Sequence, residues 1–195
     1  MSKRPLVLWS GGFDSTALLI ELLIEEDVDI LYVNLENSEE LQRYEKKAIT
    51  KLKCIIADAN LKGKIINEHT FSYGNIVVNK TVYGQPALWI NASADIANIK
   101  DHSSVNIAYV KYDDAWHYKT EIVNAYKAMN SLICDGDTVP LKFPYEWYTK
   151  KHILDRMETF VYYKQILNTV RYCEASQKKP CGECASCIRH KSELG

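Results

Sequence analysis

Leu6-Val7-Leu8-Trp9-Ser10-Gly11-Gly12-Phe13-Asp14-Ser15-Thr16 joins a short apolar run to a glycine turn and then to a helical pattern, and its reading decides the fold. Residues 6–9 are predicted as a strand and residues 16–26 as a helix, so the turn lies where a strand feeds a helix. Backbone amides at a helix start point outward and welcome an anion. Two adjacent glycines let the main chain approach a phosphate without side-chain clash. The hydroxyls of Ser10, Ser15 and Thr16 can donate to phosphate oxygens, and Asp14 can hold a magnesium ion that neutralises them. The whole turn, Ser10, Gly11, Gly12, Phe13, Asp14, Ser15 and Thr16, is therefore a candidate nucleotide-binding element. The plainer alternative is a tight turn capped by Ser15. No Gly-Lys-Ser/Thr follows, which separates the turn from the γ-phosphate-cleaving P-loop pattern.

Outward from this turn, further apolar runs rich in β-branched residues at 30–35, 64–71 and 105–110 are predicted strands. Helices are expected at 39–57, 86–100 and 117–133, with Leu41, Tyr44, Ala48 and Leu52 at helical spacing in the first of these. Another helix is expected after Thr149, which can cap it, running through Ile153, Met157 and Phe160. Strands alternating with helices predict an α/β fold around a parallel sheet. The connections at 72–85 and 134–148 are long enough to suggest lids, and residues 171–195 show no strong period.

A chain of 195 residues fits one domain, taken as 1–195 with 171–195 as a C-terminal metal-binding segment. Hydrophobic residues make up 47% and charged residues 25%, ordinary values for a folded protein. With 24 basic and 25 acidic side chains the net charge is -1, which argues against a surface built to hold long nucleic acid and leaves room for local basic pockets. The apolar run near the N-terminus is too short for a signal-peptide core or a membrane span, so a cytoplasmic protein with no membrane partner is expected.

Four of the six cysteines, Cys173, Cys181, Cys184 and Cys187, fall in a C-x7-C-x2-C-x2-C pattern, while Cys54 and Cys134 lie elsewhere. Thiolates at this spacing can converge on one tetrahedral ion, and four ligands leave no open position, which favours structural zinc. Disulfides and an iron–sulfur cluster are the competing readings.

Ser10, Gly11, Gly12, Asp14 and Ser15 match every fixed position of the SGGxDS signature of the PP-loop ATPases. Together with Cys173, the knuckle Cys181-Gly182-Glu183-Cys184-Ala185-Ser186-Cys187 and the segment Pro144-Tyr145-Glu146-Trp147-Tyr148-Thr149-Lys150-Lys151-His152-Ile153, the chain resembles the 7-cyano-7-deazaguanine synthase family. The resemblance implies a Rossmann-like parallel sheet with helices on both faces, ATP beyond the carboxyl ends of the strands, and a zinc knuckle near the acceptor pocket. It further implies that ATP, ammonia and a small deazapurine are the partners, that Zn2+ and Mg2+ are the metals, and that Lys150 faces the phosphates as a catalytic residue alongside Asp14 and Ser15. The sequence leaves the oligomeric state open, a homodimer included.

The chain departs from that family on the acceptor side. Pro86-Ala87-Leu88-Trp89 stands where the family carries Pro-Gly-Arg-Asn, and Asp113, Asp114, Trp116, His117, Tyr118 and Lys119 stand where it carries Gly-Tyr-Pro-Asp-Cys-Arg. His190 replaces a residue that is commonly arginine. Trp89 and Trp116 can stack on a planar heterocycle, and Asp113 and Asp114 can accept hydrogen bonds from a guanine-like edge. Packing in the core is the ordinary fate of Trp89, and exposed turn carboxylates would look like Asp113 and Asp114. Two other readings remain: a PP-loop enzyme that adenylates a different acceptor, such as a tRNA base, and a protein that binds a nucleotide or deazaguanine without turnover.

Overall fold

The computed structural model describes residues 3–34, 39–73, 77–78, 81–82, 85–99, 102–113, 115–133, 138–173, 175 and 179–194. Strand β1 (Pro5–Leu8) leads through the glycine turn into helix α1 (Phe13–Glu25). Then come β2 (Val28–Asn34), α2 (Glu39–Asp58), β3 (Ile65–Ser72), the short strands β4 (Val77–Val78) and β5 (Thr81–Val82), and α3 (Gln85–Ile99). Beyond these lie β6 (Ser104–Asn106), a 3-10 turn at Trp116–Tyr118, α4 (Lys119–Ile133), β7 (Leu141–Lys142), α5 (Lys150–Met157), α6 (Tyr163–Leu167) and α7 (Ala185–Leu194).

Five strands form one sheet in the order β3-β2-β1-β6-β7, and every neighbouring pair is parallel. Val7 pairs with Ile30 on one side and Asn106 on the other, which fixes β1 as the central strand. The period of two along the strands sorts side chains between two cores. Val7, Val28 and Ile30 pack with α1, α2 and α5 through Leu19, Leu52 and Ile153. Leu6, Leu8, Leu31 and Val33 pack with α3 and α4 through Ile90, Ala94, Ile122 and Tyr126. Burial on both faces explains why β1 and β2 read as near-continuous apolar runs. The two-residue strands β4 and β5 form a separate antiparallel pair. Among the described residues no helix is long and apolar enough to cross a membrane.

Several boundaries differ from expectation. Helix α1 begins at Phe13, three residues before Thr16, because the turn itself supplies the first helical residues. Strand β6 ends at Asn106 although the apolar run continues to Val110; β1 ends at Leu8, so the later residues have no β1 partner. The connection expected over 134–148 carries the edge strand β7, and the C-terminal segment without a period carries α7. Thr149 caps α5 as expected: its hydroxyl accepts from the His152 amide at 3.4 Å, and His152 Nδ1 accepts from the Thr149 amide at 3.2 Å.

At the amino ends of the strands, buried Asp29 accepts from Arg4 Nε (3.0 Å), from the Asn67 backbone and side-chain amides (3.0 Å each) and meets His102 Nε2 at 3.1 Å. Burial pushes the Asp29 carboxyl up, but the hydrogen bonds and charge from Arg4 and the Asn67 donors outweigh it and hold it below the usual value. This cluster clamps β1, β2, β3 and the approach to β6 at the end of the sheet away from the glycine turn. His69 lies close enough for a metal-like grouping with Asp29 and His102, but the Arg4 guanidinium already supplies the positive charge there.

Candidate functional site

The strand order reverses between β1 and β6, since the chain runs from β1 out to β3 and later returns to the other side of β1. Crevices beyond the carboxyl ends of strands at such a reversal are where open α/β sheets bind ligands. Here a cavity of about 290 Å³ lies, lined by the glycine turn, by residues following β6, by Trp89 of α3, by Lys150 of α5 and by Ser186 and His190 of α7.

The geometry of the turn accounts for its glycines. Gly11 has φ of +74°, a left-handed conformation that side chains resist, and a Cβ there would lie 2.8 Å from Ile49 Cγ1 of α2. Gly12 has an ordinary φ of -76° and caps α1 without a side-chain bond; a Cβ on it would stand 3.2 Å from Ser10 Oγ. Ser10 and Ser15 hold the turn shut: their hydroxyls are 3.0 Å apart, the Ser10 amide donates to Ser15 Oγ at 3.3 Å, and the Gly12 amide donates to Ser10 Oγ at 3.3 Å. Thr16 takes a different part from the phosphate donor expected of it. It is fully buried outside the cavity lining, and its hydroxyl accepts from Trp9 Nε1 at 3.0 Å. Phe13 is buried at the cavity wall and belongs to the core beneath α1.

Asp14 Oδ2 lies 3.5 Å from Lys150 Nζ, with both side chains less than a fifth exposed. Two motifs separated by more than a hundred residues of chain thus meet at the mouth of α1, where the helix start and the lysine together make a positive environment for an anion. Lys150 reaches this point because the Thr149 cap starts α5 there, and Ile153, Leu154 and Met157 bury its opposite face.

The acceptor-side candidates divide. Trp89 lines the cavity, its ring 6.2 Å from that of Tyr109. Asp113 also lines it but is engaged: Oδ1 accepts from Arg189 of α7 at 3.0 Å and Oδ2 from the Val110 amide at 3.2 Å. Trp116 does not line the cavity. Its indole donates to the Glu146 carbonyl at 2.7 Å and its ring packs near Tyr112 and Trp147, beside the Lys119–Glu146 ion pair. Asp114 lies outside the described residues.

Residues that motif reading passed over complete the wall. Tyr109 is buried beside the cavity, and its hydroxyl has no hydrogen-bond partner among the described residues; burial and the nearby Asp113 charge push its pKa up, so it stays a neutral donor. Arg171 donates its backbone N–H to the Gly11 carbonyl at 3.1 Å, tying the C-terminal segment to the turn. Tyr172 stacks on His190 at 3.7 Å with rings 9° apart. Burial and the Lys150 charge lower the pKa of His190, which keeps it neutral near pH 7. Of these, only His190 carried a sequence signal, as the replacement for an arginine; Arg171 and Tyr172 merely precede the first clustered cysteine.

Next to this wall, the Sγ atoms of Cys173, Cys181, Cys184 and Cys187 all lie within 4.8 Å of one another. Cys181 Sγ and Cys187 Sγ are 3.8 Å apart, too far for a disulfide and close to the edge of a tetrahedron with metal–sulfur bonds of about 2.3 Å. Amides point at the sulfurs: Cys181 N donates to Cys173 Sγ, Cys184 N to Cys181 Sγ and Cys187 N to Cys184 Sγ, at 3.3 to 3.4 Å. Amide donation from Glu183 and Cys184 lowers the half-buried Cys181 thiol to about 6, whereas burial pushes Cys187 up to about 12. The four thiols can hold one tetrahedral metal ion, whose charge would deprotonate Cys187. Gly182, at φ of +79°, makes the tight turn that folds the knuckle back. Cys54 is exposed on α2 away from the cluster, and Cys134 lies outside the described residues. Comparison with known proteins adds no assignment to this geometry: no protein-family model matches the chain, and no curated protein matches its sequence.

Proposed function

We propose that the protein is an adenylating enzyme of the PP-loop kind on a Rossmann-like sheet, one that converts 7-carboxy-7-deazaguanine and ammonia to the nitrile at the expense of two ATP. The observation that carries this reading is the meeting of Asp14 and Lys150 at the start of α1, in a cavity that the cysteine knuckle also borders. Three motifs far apart in sequence converge on one crevice, as a shared chemical task requires.

A carboxylate resists attack by ammonia because its leaving group would be oxide. In the proposed reaction a carboxylate oxygen attacks the α-phosphorus of ATP and pyrophosphate leaves. Ammonia then displaces AMP, which departs with that oxygen, and gives the amide. The amide oxygen attacks a second ATP in the same way, and loss of AMP and two N–H protons leaves the nitrile. Ser10, Ser15 and the amides at the start of α1 bind the phosphates, Asp14 would hold Mg2+, and Lys150 balances charge moving onto pyrophosphate. Trp89 offers a face for the heterocycle and the Tyr109 hydroxyl a neutral donor. Asp113, held by Arg189, links acceptor binding to the knuckle, where zinc would have a structural part.

Mass spectrometry of a reaction containing ATP, ammonium and 7-carboxy-7-deazaguanine tests the proposal. Nitrile, AMP and pyrophosphate are expected. ADP as the nucleotide product would refute the PP-loop chemistry, and AMP formed only with a different acceptor would refute the substrate.

A further inference from the structure

Behind the wall made by Arg171, Tyr172 and His190 lies a second and larger cavity, of about 750 Å³, and these three residues line both. Its far side is α2, from which Arg43, Lys47 and Lys51 project at intervals of four residues, so they form one stripe along the helix face. At about 1.5 Å per residue the stripe runs about 12 Å. No acidic side chain lines this groove among the described residues. Arg43 has a long contact of 3.6 Å to exposed Glu40, and no ion pair engages Lys47 or Lys51 among the described residues.

Arg171 is the link. One guanidinium nitrogen donates to the Ala175 carbonyl at 2.6 Å, while its Nε is buried without a hydrogen-bond partner among the described residues. The guanidinium lies 5.6 Å from the Tyr44 ring centre, and Arg43 lies 5.3 Å from the same ring, so two cations flank one tyrosine at the end of the groove. A buried, unfilled donor on a cation is costly, and a phosphate oxygen would satisfy it. The Arg171 main chain is anchored to Gly11, which sets this cation next to the turn where, in the proposed reaction, pyrophosphate is formed.

We propose that this groove is a second anion site, which takes up inorganic pyrophosphate from the nucleotide cavity by way of Arg171 and releases it along Lys47 and Lys51. The proposal rests on the adenylation reading for the origin of the pyrophosphate. A polyanion leaving a site bounded by a helix start, Lys150 and a metal-binding carboxylate has to give up strong charge-assisted bonds. A neighbouring row of cations lowers that barrier by exchanging partners stepwise.

The test is calorimetric titration of the whole protein with inorganic pyrophosphate and, separately, with ATP. The wild-type chain is expected to bind pyrophosphate at two sites and ATP at one. The exposed double variant K47Q/K51Q is expected to lose about tenfold or more in affinity at one pyrophosphate site, as for loss of a charge-assisted bond, with ATP binding unchanged. R171Q should weaken both pyrophosphate sites. A single pyrophosphate site in the wild type, or two sites unchanged in K47Q/K51Q, would overturn the groove. Pyrophosphate held in the groove with no ATP bound at the turn would instead overturn the adenylation reading, so the two failures are distinct.

Discussion

Replacing Gly11 with Ala isolates the feature on which the site depends, because two separate penalties act at that position. The residue sits at φ of +74°, and an L side chain in the left-handed region costs about 1–2 kcal/mol. The new methyl would lie 2.8 Å from Ile49 Cγ1, and Ile49 is itself 8% exposed and packed in the core under α2, so it has little room to retreat. Overpacking of this kind costs about 1–3 kcal/mol. Alanine regains about 1 kcal/mol by restricting the unfolded chain, which leaves a net loss of about 1–4 kcal/mol. Urea unfolding should show a lower midpoint at an unchanged slope, and the melting temperature should fall by about 2–15 °C. A cycle with Ile49→Ala separates the terms: removing Cγ1 should recover the steric part and leave the backbone part. Gly12→Ala is the contrast, because an ordinary φ and a 3.2 Å contact with the end of the short Ser10 side chain, which needs to give by only a few tenths of an ångström, predict a stability change within about 0.5 kcal/mol and a loss of nucleotide binding. Gly11→Ala with wild-type stability would refute the account of the turn.

Three further perturbations address the other anchors. Lys150→Met keeps the length of the stem beside Asp14 and removes the charge; ATP-dependent pyrophosphate release should fall by at least about tenfold while thermal stability changes little, and retained turnover would remove Lys150 from the chemistry. Asp29→Ala leaves Arg4, His102 and the Asn67 donors facing one another without their shared acceptor and should cost about 3 kcal/mol in urea unfolding. Because the folded-state pKa of Asp29 is depressed, its contribution is fully present above the unfolded value near 3.8 and is lost as pH falls through the folded value, so the variant and wild type should converge in stability in strong acid. Cys184→Ser should abolish metal retention as read by elemental analysis; a preparation whose zinc survives the change would overturn the four-cysteine site.

The sheet could be read from the sequence because its central strands are buried on both faces: Leu6, Val7 and Leu8 admit no polar residue, and Leu31 and Val33 repeat the pattern. The edge strand β7 could not, since Leu141 and Lys142 are two residues with no period of their own and owe their strand geometry to β6. Helix α7 escaped for a related reason: 185–194 is short and begins inside the cysteine knuckle, so local pattern counted for less than the knuckle that positions it. Within the site, the glycine turn and the four thiols were accessible through spacing, and Lys150 only through the family resemblance. Thr16 was misjudged because a hydroxyl in a phosphate-like motif looks the same whether it faces a ligand or accepts from Trp9. Trp116 was expected near the acceptor from its place after β6, yet the 3-10 turn directs its indole toward Glu146. Arg171 and Tyr109 carried no local signal at all, because what marks them is a buried donor unfilled among the described residues, a property of the packed chain.

Three contacts tie the C-terminal segment to the cavity wall and to itself: the Arg171 amide bonds the Gly11 carbonyl, Arg189 bonds Asp113 beyond β6, and, within the segment, His190 stacks on Tyr172. All three contacts come from residues within a few positions of a cluster cysteine. Metal loss therefore has a path to the cavity wall in this structure. Without the ion, α7 would lose the anchor that sets Arg189 and His190, and Asp113 and Tyr172 would lose their partners at the cavity wall. The Gly11–Arg171 bond is main chain to main chain and adjoins the buried Val170, so it should outlast them. Graded chelation should then abolish acceptor binding first and weaken ATP binding later, a sequence that titration calorimetry with each ligand can resolve. Simultaneous loss of both affinities would mean that the knuckle holds the turn itself, and no loss of either would mean that the cavity stands without it.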